Sequence, residues 1–375
     1  MATERLPTWS PEWRVVPGEI LGEALEERGL TQSDLARRMG RPLKTINEIV
    51  NGKASITPET AIQLERTLGI SASFWNNLET RYREHLAREQ AQRVLESQTD
   101  WLRNFPMAQL ARIGLIRGRV SRAEALSDLL HFFGVSSPQA WERQWSQTNA
   151  ARRASRAFVS SPHATSVWLR WGELAAADTT AGPFDENRFM TTLAAVRGLS
   201  RVQPFMTAIE RLQRQFAKAG VIVVLVPEVQ GTRLSGASRW LTSDRAVIQL
   251  SLRHKSDDQF WFTVFHECGH LASSSRRRDF VDAPTDVGSA TATGEELQAD
   301  EFAREALISS SAYEPFIKRA NFGRDAVRSF AKELDISPGI VVGRLQRDGH
   351  VGRGSLNYLK QPYTWPTEFG LRSSQ

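Results

Sequence analysis

Residues 31–50 read Thr31-Gln-Ser-Asp-Leu-Ala-Arg-Arg-Met-Gly40-Arg-Pro-Leu-Lys-Thr-Ile-Asn-Glu-Ile-Val50, a pattern that predicts two short helices on either side of a glycine turn. Thr31 and Asp34 have the spacing of a capping box, in which each side chain binds the backbone N–H of the other residue, so a helix should begin directly after Thr31. Gly40 favours a tight turn because glycine adopts left-handed backbone angles at little cost. The helix after the turn has four apolar residues that we expect on its buried face: Leu43, Ile46, Ile49 and Val50.

Two further helices are predicted around this pair. Pro17 stands at a favoured first helical position and Gly29 marks the end of that helix, whose apolar residues are Ile20, Leu21, Ala24 and Leu25. Thr57 and Pro58 predict the start of another helix, with a buried side formed by Ala61, Leu64 and Leu68. The first part of the chain therefore predicts an all-α bundle of short helices.

The outward face of the third predicted helix is polar. The helical period turns five side chains away from the buried face: Lys44, Thr45, Asn47, Glu48 and Asn51. A short helix presented in this way is the plan of a helix-turn-helix reader of double-stranded operator DNA. We expect phosphate contacts from Gln32 and Arg38. Contacts to base edges are expected from Lys44, Thr45 and Asn47.

Local charge favours the same interpretation. Between residues 31 and 56, five basic side chains oppose two acidic ones, although the chain as a whole has a net charge of only +6 over 375 residues. The alternative is a small helical bundle whose charges are merely solvated, which the pattern of residues alone leaves open.

Residues 17–82 resemble the HigA-like antitoxins, which belong to the Cro/C1-type (XRE) helix-turn-helix class. The resemblance rests on the run from Pro17 through the segment quoted above to Lys53, and on Phe74-Trp-Asn-Asn-Leu78. It implies a DNA-binding repressor module that acts as a homodimer. Arg41-Pro-Leu43 stands where Val-Ser-Arg is commoner, which leaves the operator sequence open.

The rest of the chain changes character twice. Residues 83–215 predict a helical linker domain to which we assign no chemistry. Beyond it, the apolar run Val221–Val226 predicts a buried strand, residues 235–241 and 246–252 are further strand candidates, and helices are predicted over about 257–273 and 295–307 with a polar loop between them. The predicted divisions are 14–82, 83–215, 216–350 and a tail over 351–375.

His266-Glu-Cys-Gly-His270 lies inside one of these predicted helices and has the spacing of a metal site. Residues four apart share one helical face, so the two imidazoles can reach one Zn²⁺ ion. Glu267 is adjacent and is predicted to be the general base that takes a proton from an attacking water molecule. Cys268 falls on the opposite face, so we interpret it as a core residue and not as a ligand.

A third ligand is expected from the next predicted helix. Glu296 can complete a His₂Glu site, and Asp300, one turn later, can accept the free ring N–H of a ligating histidine. The alternative is that both are ordinary acids on a helix surface. His254, close upstream, is a candidate for stabilising an oxyanion.

This second region resembles the ImmA/IrrE metallopeptidases. The resemblance covers about residues 160–350 and rests on Phe265-His-Glu-Cys-Gly-His-Leu271, on Glu296 through Ala303, and on Ile336-Ser-Pro-Gly-Ile-Val-Val. It implies an α+β thermolysin-like zincin domain with C-terminal helices, and Zn²⁺ held by His266, His270 and Glu296. Known members cleave partner repressors of the helix-turn-helix class. This chain differs in carrying its own DNA-binding module, so the identity of a cleaved protein stays open.

A substrate of such a site would add as a strand along an exposed sheet edge. The candidate edge begins with Ser235, Gly236 and Ala237, where the glycine lets another backbone approach closely. We expect the N–H group of Ala237 to be one of the donors at this edge.

Composition excludes several other classes of protein. Hydrophobic residues at 41% and charged residues at 24% are ordinary globular values, which argues against a mostly disordered chain. One cysteine excludes a disulfide framework, and no apolar run reaches the roughly 20 residues of a membrane helix. The sequence thus predicts a multidomain cytoplasmic regulator with a zinc peptidase domain, which cleaves a repressor or a toxin-antitoxin-linked protein under stress. The alternative is a non-catalytic antitoxin-like repressor whose zinc domain senses or scaffolds.

Overall fold

The chain divides into two compact units, which confirms the predicted multidomain fold. A computed structural model describes residues 15–153, 161–272 and 289–365. The first unit contains residues up to Asp100 together with 121–123, and the second contains almost all of the remainder. Most of the predicted polar loop and the end of the predicted tail lie outside the described residues.

The first unit is a helical bundle, as predicted. Its helices are α1 (Pro17–Glu27), α2 (Gln32–Met39), α3 (Leu43–Val50), α4 (Pro58–Leu68) and the longer α5 (Ala72–Ser97). Thr31 and Asp34 form the predicted capping box at the start of α2, and Gly40 ends that helix with a left-handed φ of 65°. Thr57 caps α4 by accepting a hydrogen bond from the N–H of Thr60.

Each helix contributes at least one fully buried large side chain to the core of this unit. Five such residues are Leu21, Leu35, Ile46, Leu64 and Trp75. Leu43 differs from the prediction, because half of its surface is exposed. It is the first residue of α3, and helical side chains lean towards the N-terminus, so Leu43 projects past the helix end and away from the core.

The second unit begins with helices and continues into a small sheet. The helices are α6 (Met107–Arg112), α7 (Arg122–Phe133), α8 (Pro138–Arg153), α9 (Pro162–Ala177), α10 (Glu186–Arg197) and α11 (Phe205–Ala217). Short 3₁₀ segments occupy Thr99–Asn104 and Gly198–Arg201. Part of the N-terminal portion of α7, Arg122 and Ala123, is grouped with the first unit.

The described residues form one mixed sheet of three strands in the order β1, β3, β2. These are β1 (Val221–Leu225), β2 (Gly236–Thr242) and β3 (Arg245–Leu250), close to the predicted bounds. β1 runs parallel to β3, and β2 runs antiparallel to it with Gly236 opposite Leu250. All five residues of β1 are buried, as expected for a strand covered on both faces.

Helix α12 (Asp257–Ala272) packs between this sheet and the C-terminal helices. It is followed by α13 (Ser289–Leu307), α14 (Ser310–Lys318), α15 (Arg324–Glu333) and α16 (Pro338–Arg347), and by a 3₁₀ turn at Asn357–Leu359. α13 begins six residues before the predicted start at Glu295, within the segment that polarity alone had suggested to be loop. Among the described residues, none of the helices combines the length and the apolarity needed to cross a bilayer.

The buried start of α12 is tied to the C-terminal segment. Asp257 accepts hydrogen bonds from the N–H of Gln361 and from the hydroxyl of Ser337. Further along the helix, Trp261 donates from Nε1 to the hydroxyl oxygen of Tyr363 at 3.0 Å. These contacts fix the position of α12, which carries the histidines described below.

Candidate functional site

Helices α12 and α13 bring two histidines and a glutamate together. The metal-binding atoms of His266, His270 and Glu296 all lie within 4.8 Å of one another. His266 Nε2 is 3.1 Å from His270 Nε2, and the two carboxylate oxygens of Glu296 lie 3.3 Å and 3.5 Å from those nitrogens. The structure therefore collects the three residues that the sequence had proposed as ligands.

The chemistry of these three residues fits a zinc ion. Asp300 Oδ1 lies 2.9 Å from His266 Nδ1, and because a carboxylate only accepts, the ring proton of His266 is on Nδ1. Nε2 consequently faces the second imidazole and the Glu296 carboxylate, and it is the nitrogen whose lone pair would bind a metal ion in place of a proton. Electron-rich atoms at these separations repel one another unless a proton or a cation lies among them, and two imidazoles with one carboxylate are a common ligand set for Zn²⁺.

The negative charges around His266 also favour a bound cation at the cluster. Burial by itself lowers the pKa of His266, but hydrogen bonds to Asp300 and Glu296, together with the negative charge of Glu267, outweigh it and raise the pKa to about 10. The surroundings of the imidazole thus favour a positively charged group at this point.

Asp300 connects the histidine pair to an arginine that the sequence analysis did not single out. Its second oxygen accepts from Arg347 at 2.6 Å, and Arg304 lies 3.8 Å away on the same side. Arg347 also lies over the ring of Phe262, at 4.7 Å from the centroid. Asp300 is therefore held from two sides, which restricts the orientation of His266.

Glu267 is buried and lies beside the cluster, held by a serine of β2. Ser238 donates its hydroxyl hydrogen to Glu267 Oε2 at 2.7 Å. Gly236 allows this approach, because a Cβ at that position would come within 2.8 Å of Glu267 Cγ and 2.6 Å of Thr263 Cγ2. The glycine thus lets the strand lie directly on α12, and Ser238 orients one carboxylate oxygen of Glu267.

β2 is the outer strand of the sheet, and no other described strand pairs with its far side. The N–H of Ser251, directly after β3, donates to the carbonyl of Ser235 at 2.8 Å. The backbone groups of Ser235 therefore point towards β3. Because backbone groups alternate in direction along an antiparallel strand, those of Ala237 also face β3, and those of Gly236 and Ser238 face outward. The expectation that Ala237 supplies an edge N–H is therefore wrong.

Two other sequence interpretations have clear outcomes. Cys268 is fully buried, as expected for a core residue, and burial raises the pKa of its thiol well above the usual value. His254 is exposed and near Asp258, at the opposite end of α12 from His266. Asp258 and His266 are eight positions apart in the helix, which is about 12 Å along the axis, so the structure does not bring His254 to the cluster.

Of the predicted DNA-facing residues, Gln32 begins α2, Arg38 lies in its last turn, and the other three lie along α3. Asn47 Nδ2 donates to Gln32 Oε1 at 3.2 Å, which joins the two helices. Lys44 and Arg38 are exposed, and Thr45 is half-buried. Lys44 Nζ also lies 3.8 Å from Glu48, an exposed ion pair that contributes little to stability and can rearrange when a phosphate or base approaches.

Comparison with known proteins supports both units. A family model described as helix-turn-helix matches residues 21–75, and one for the IrrE N-terminal-like domain, a peptidase family, matches residues 208–346. The chain is 38% identical over 63 residues to YddM of Escherichia coli (strain K12), an uncharacterized HTH-type transcriptional regulator. That match covers 17% of this chain and 67% of the relative.

Further similarities fall in the same N-terminal part. Virulence-associated protein I of Dichelobacter nodosus is 38% identical over 79 residues, which is 21% of this chain and 73% of that protein. Among solved structures, an addiction module antidote protein of the HigA family from Coxiella burnetii has 32% identity and a TM-score of 0.21. The match covers 22% of this chain and 92% of the antidote protein.

Proposed function

Since the chain belongs to the helix-turn-helix transcriptional regulators and carries an IrrE N-terminal-like domain, we propose that it is a DNA-binding regulator whose second unit is a zinc-dependent peptidase. The observation that carries the proposal is the convergence of His266, His270 and Glu296, with Glu267 held beside them. The proposed substrate is a partner repressor or a toxin-antitoxin-linked protein, cleaved in a stress response.

In the proposed mechanism each residue has a separate task. His266, His270 and Glu296 would hold the zinc ion, with Asp300 fixing the ring of His266. Bound zinc would polarise the scissile carbonyl and make an attacking water more acidic. Glu267 takes a proton from that water and passes it to the leaving amine, while Ser238 keeps its carboxylate in position.

The substrate track of the proposed peptidase is the outer edge of β2. An extended peptide can pair with the outward backbone groups of Gly236 and Ser238, which lie directly above α12. Such pairing needs a segment without structure of its own. The cleaved site should therefore lie in a flexible segment of the partner and not within a folded helix.

If a peptide substrate pairs with β2, methylation of its backbone nitrogens should slow cleavage at every second position only. N-methylation removes the donor that would bind an outward carbonyl of β2, and only every second residue of an added strand faces that edge. Each sensitive position should lose roughly fivefold in kcat/KM, the size of one neutral hydrogen bond. Cleavage that responds equally at every position, or at none, would rule out β2 as the track.

The DNA-binding part of the proposal predicts a specific loss of operator affinity. We propose that a homodimer contacts DNA through Gln32, Arg38 and α3. Lys44→Ala and Asn47→Ala should each weaken operator binding by about tenfold or more, because a base contact contributes about 1–3 kcal/mol of discrimination. Arg66→Ala, an exposed position on α4, is the matched control and should bind normally.

Footprinting with the full chain on its own promoter measures this effect. Arg38→Ala should weaken binding to all sequences and reduce the salt dependence, as expected for a phosphate contact. A promoter without any protected segment would contradict the DNA-binding proposal.

The peptidase part is tested by incubating the zinc-loaded chain with helix-turn-helix proteins encoded near its own gene. Mass spectrometry should find one defined cleavage in a flexible segment of one of them. Intact partners throughout would favour the alternative of a non-catalytic zinc domain.

A further inference from the structure

A cavity of about 320 Å³ opens among α12, α13 and α16. One wall is apolar and is formed by Phe262, Leu307, Ile308 and Ile340. Four arginines also line it: Arg304, Arg344, Arg347 and Arg353. The cavity lies on a different side of α12 from the sheet, where β2 contacts Glu267.

The cavity lies next to the cluster of His266, His270 and Glu296. Phe262, which lines the cavity, precedes His266 by one helical turn, and the two ring centroids are 6.3 Å apart. Arg347, another lining residue, donates to Asp300, which in turn accepts from His266. A group inside the cavity would therefore be adjacent to the bond that the proposed peptidase cleaves.

The charged side chains that line the cavity are mostly basic. Asp258 is the one acid among the lining residues, and it is paired with Lys360 at 2.7 Å. Three of the four arginine charges are matched by neighbouring acids, since Arg344 binds Asp348, Arg304 binds Glu301 and Arg347 binds Asp300. Arg353 is exposed at the mouth.

Two of these arginines have guanidinium groups that a guest can reach. Arg353 is exposed, and 47% of the Arg347 side chain is accessible although it binds Asp300. Hydrogen bonds between a guanidinium group and a carboxylate are among the strongest in proteins. These two lining residues therefore offer donors to an anionic guest.

We propose that this cavity is the specificity pocket of the peptidase and that it receives an acidic side chain next to the cleaved bond. The inference rests on the proposed function and adds its substrate class. The methylenes of a glutamate or aspartate lie against the apolar wall, and the carboxylate binds the arginines. Lysine and arginine are rejected, because the lining charge is repulsive for them.

Cleavage-site profiling tests this assignment with the full, zinc-loaded chain. The probe is a tryptic digest of a cell extract, and mass spectrometry maps every new peptide end, with the Glu267→Gln protein as the blank. Asp and Glu should be enriched about tenfold or more at one fixed position within two residues of the cut, the value expected for a hydrogen bond to a charged group.

Variants of the arginines connect the preference to the cavity. Arg353→Gln and Arg344→Gln should each remove most of the acidic enrichment, and Arg344→Lys, which keeps the charge, should retain part of it. Arg353 is exposed, so its replacement leaves the fold intact even if Arg344→Gln is unstable. Arg328→Gln, on the exposed face of α15, is the matched control and should keep the wild-type profile.

Binding gives a second measurement that does not depend on turnover. Two synthetic peptides that differ only by Glu or Gln at the selected position should differ about tenfold in Kd for the zinc-loaded Glu267→Gln protein. Cleavage without an acidic preference, or a preference that survives Arg353→Gln and Arg344→Gln, would overturn the pocket assignment alone. Complete absence of cleavage would overturn the peptidase proposal and the pocket with it.

Discussion

Glu267→Gln is expected to reduce peptide cleavage by about 10²- to 10⁴-fold, the usual contribution of a general base. The amide cannot take the proton from the attacking water, yet it has the same shape and can still accept from Ser238. Zinc content should stay at that of the wild type, because Glu267 lies outside the group of three residues that meet at the cluster.

Cleavage rates and metal analysis on the same sample measure both expectations. Glu314→Gln, an exposed glutamate on α14, is the matched control and should retain full activity. Loss of zinc from Glu267→Gln equal to that from a ligand variant would mean that Glu267 holds the metal and that its assigned role is wrong.

His266→Ala is expected to abolish zinc binding and cleavage together. The substitution removes one of the three meeting atoms and also the ring that joins Asp300 to the cluster. Asp300→Asn should give an intermediate result, with metal affinity lower by about 10- to 100-fold, as is typical when the partner of a ligating histidine is removed.

Titration with zinc in the presence of a competing chelator measures the zinc affinities of the wild type and of the two variants. His131→Ala, at an exposed position on α7, should bind like the wild type. An Asp300→Asn protein with unchanged zinc affinity would show that the contact with His266 has no influence on the metal.

The helices and their functional spacing could be predicted because they depend on local patterns. The helical period alone places His266 and His270 on one face, and a capping box alone marks the start of α2. The prediction that Leu43 is buried was wrong. The apolar pattern of α3 includes this residue, but it lies at the end of the helix and projects past the core. The predicted start of α13 was six residues too far along the chain. Polar composition does not distinguish a loop from an exposed helical turn.

The remaining features depend on contacts between distant residues. Ser238 and Glu267 are 29 positions apart, and Arg347 and Asp300 are 47 apart, so no local pattern joins them. The direction of the Ala237 N–H depends on the register of β2 against β3, which the sequence of one strand does not specify. The specificity pocket likewise exists only because three helices meet.

The most direct test of the central claim is to remove zinc from the full chain and restore it, while following cleavage of a partner helix-turn-helix protein. We expect cleavage by the zinc-loaded chain, its loss after chelation, and its recovery with one equivalent of Zn²⁺ in the wild type but not in Glu267→Gln. Cleavage that continues at full rate in the metal-free protein, or that recovers equally in Glu267→Gln, would contradict the account.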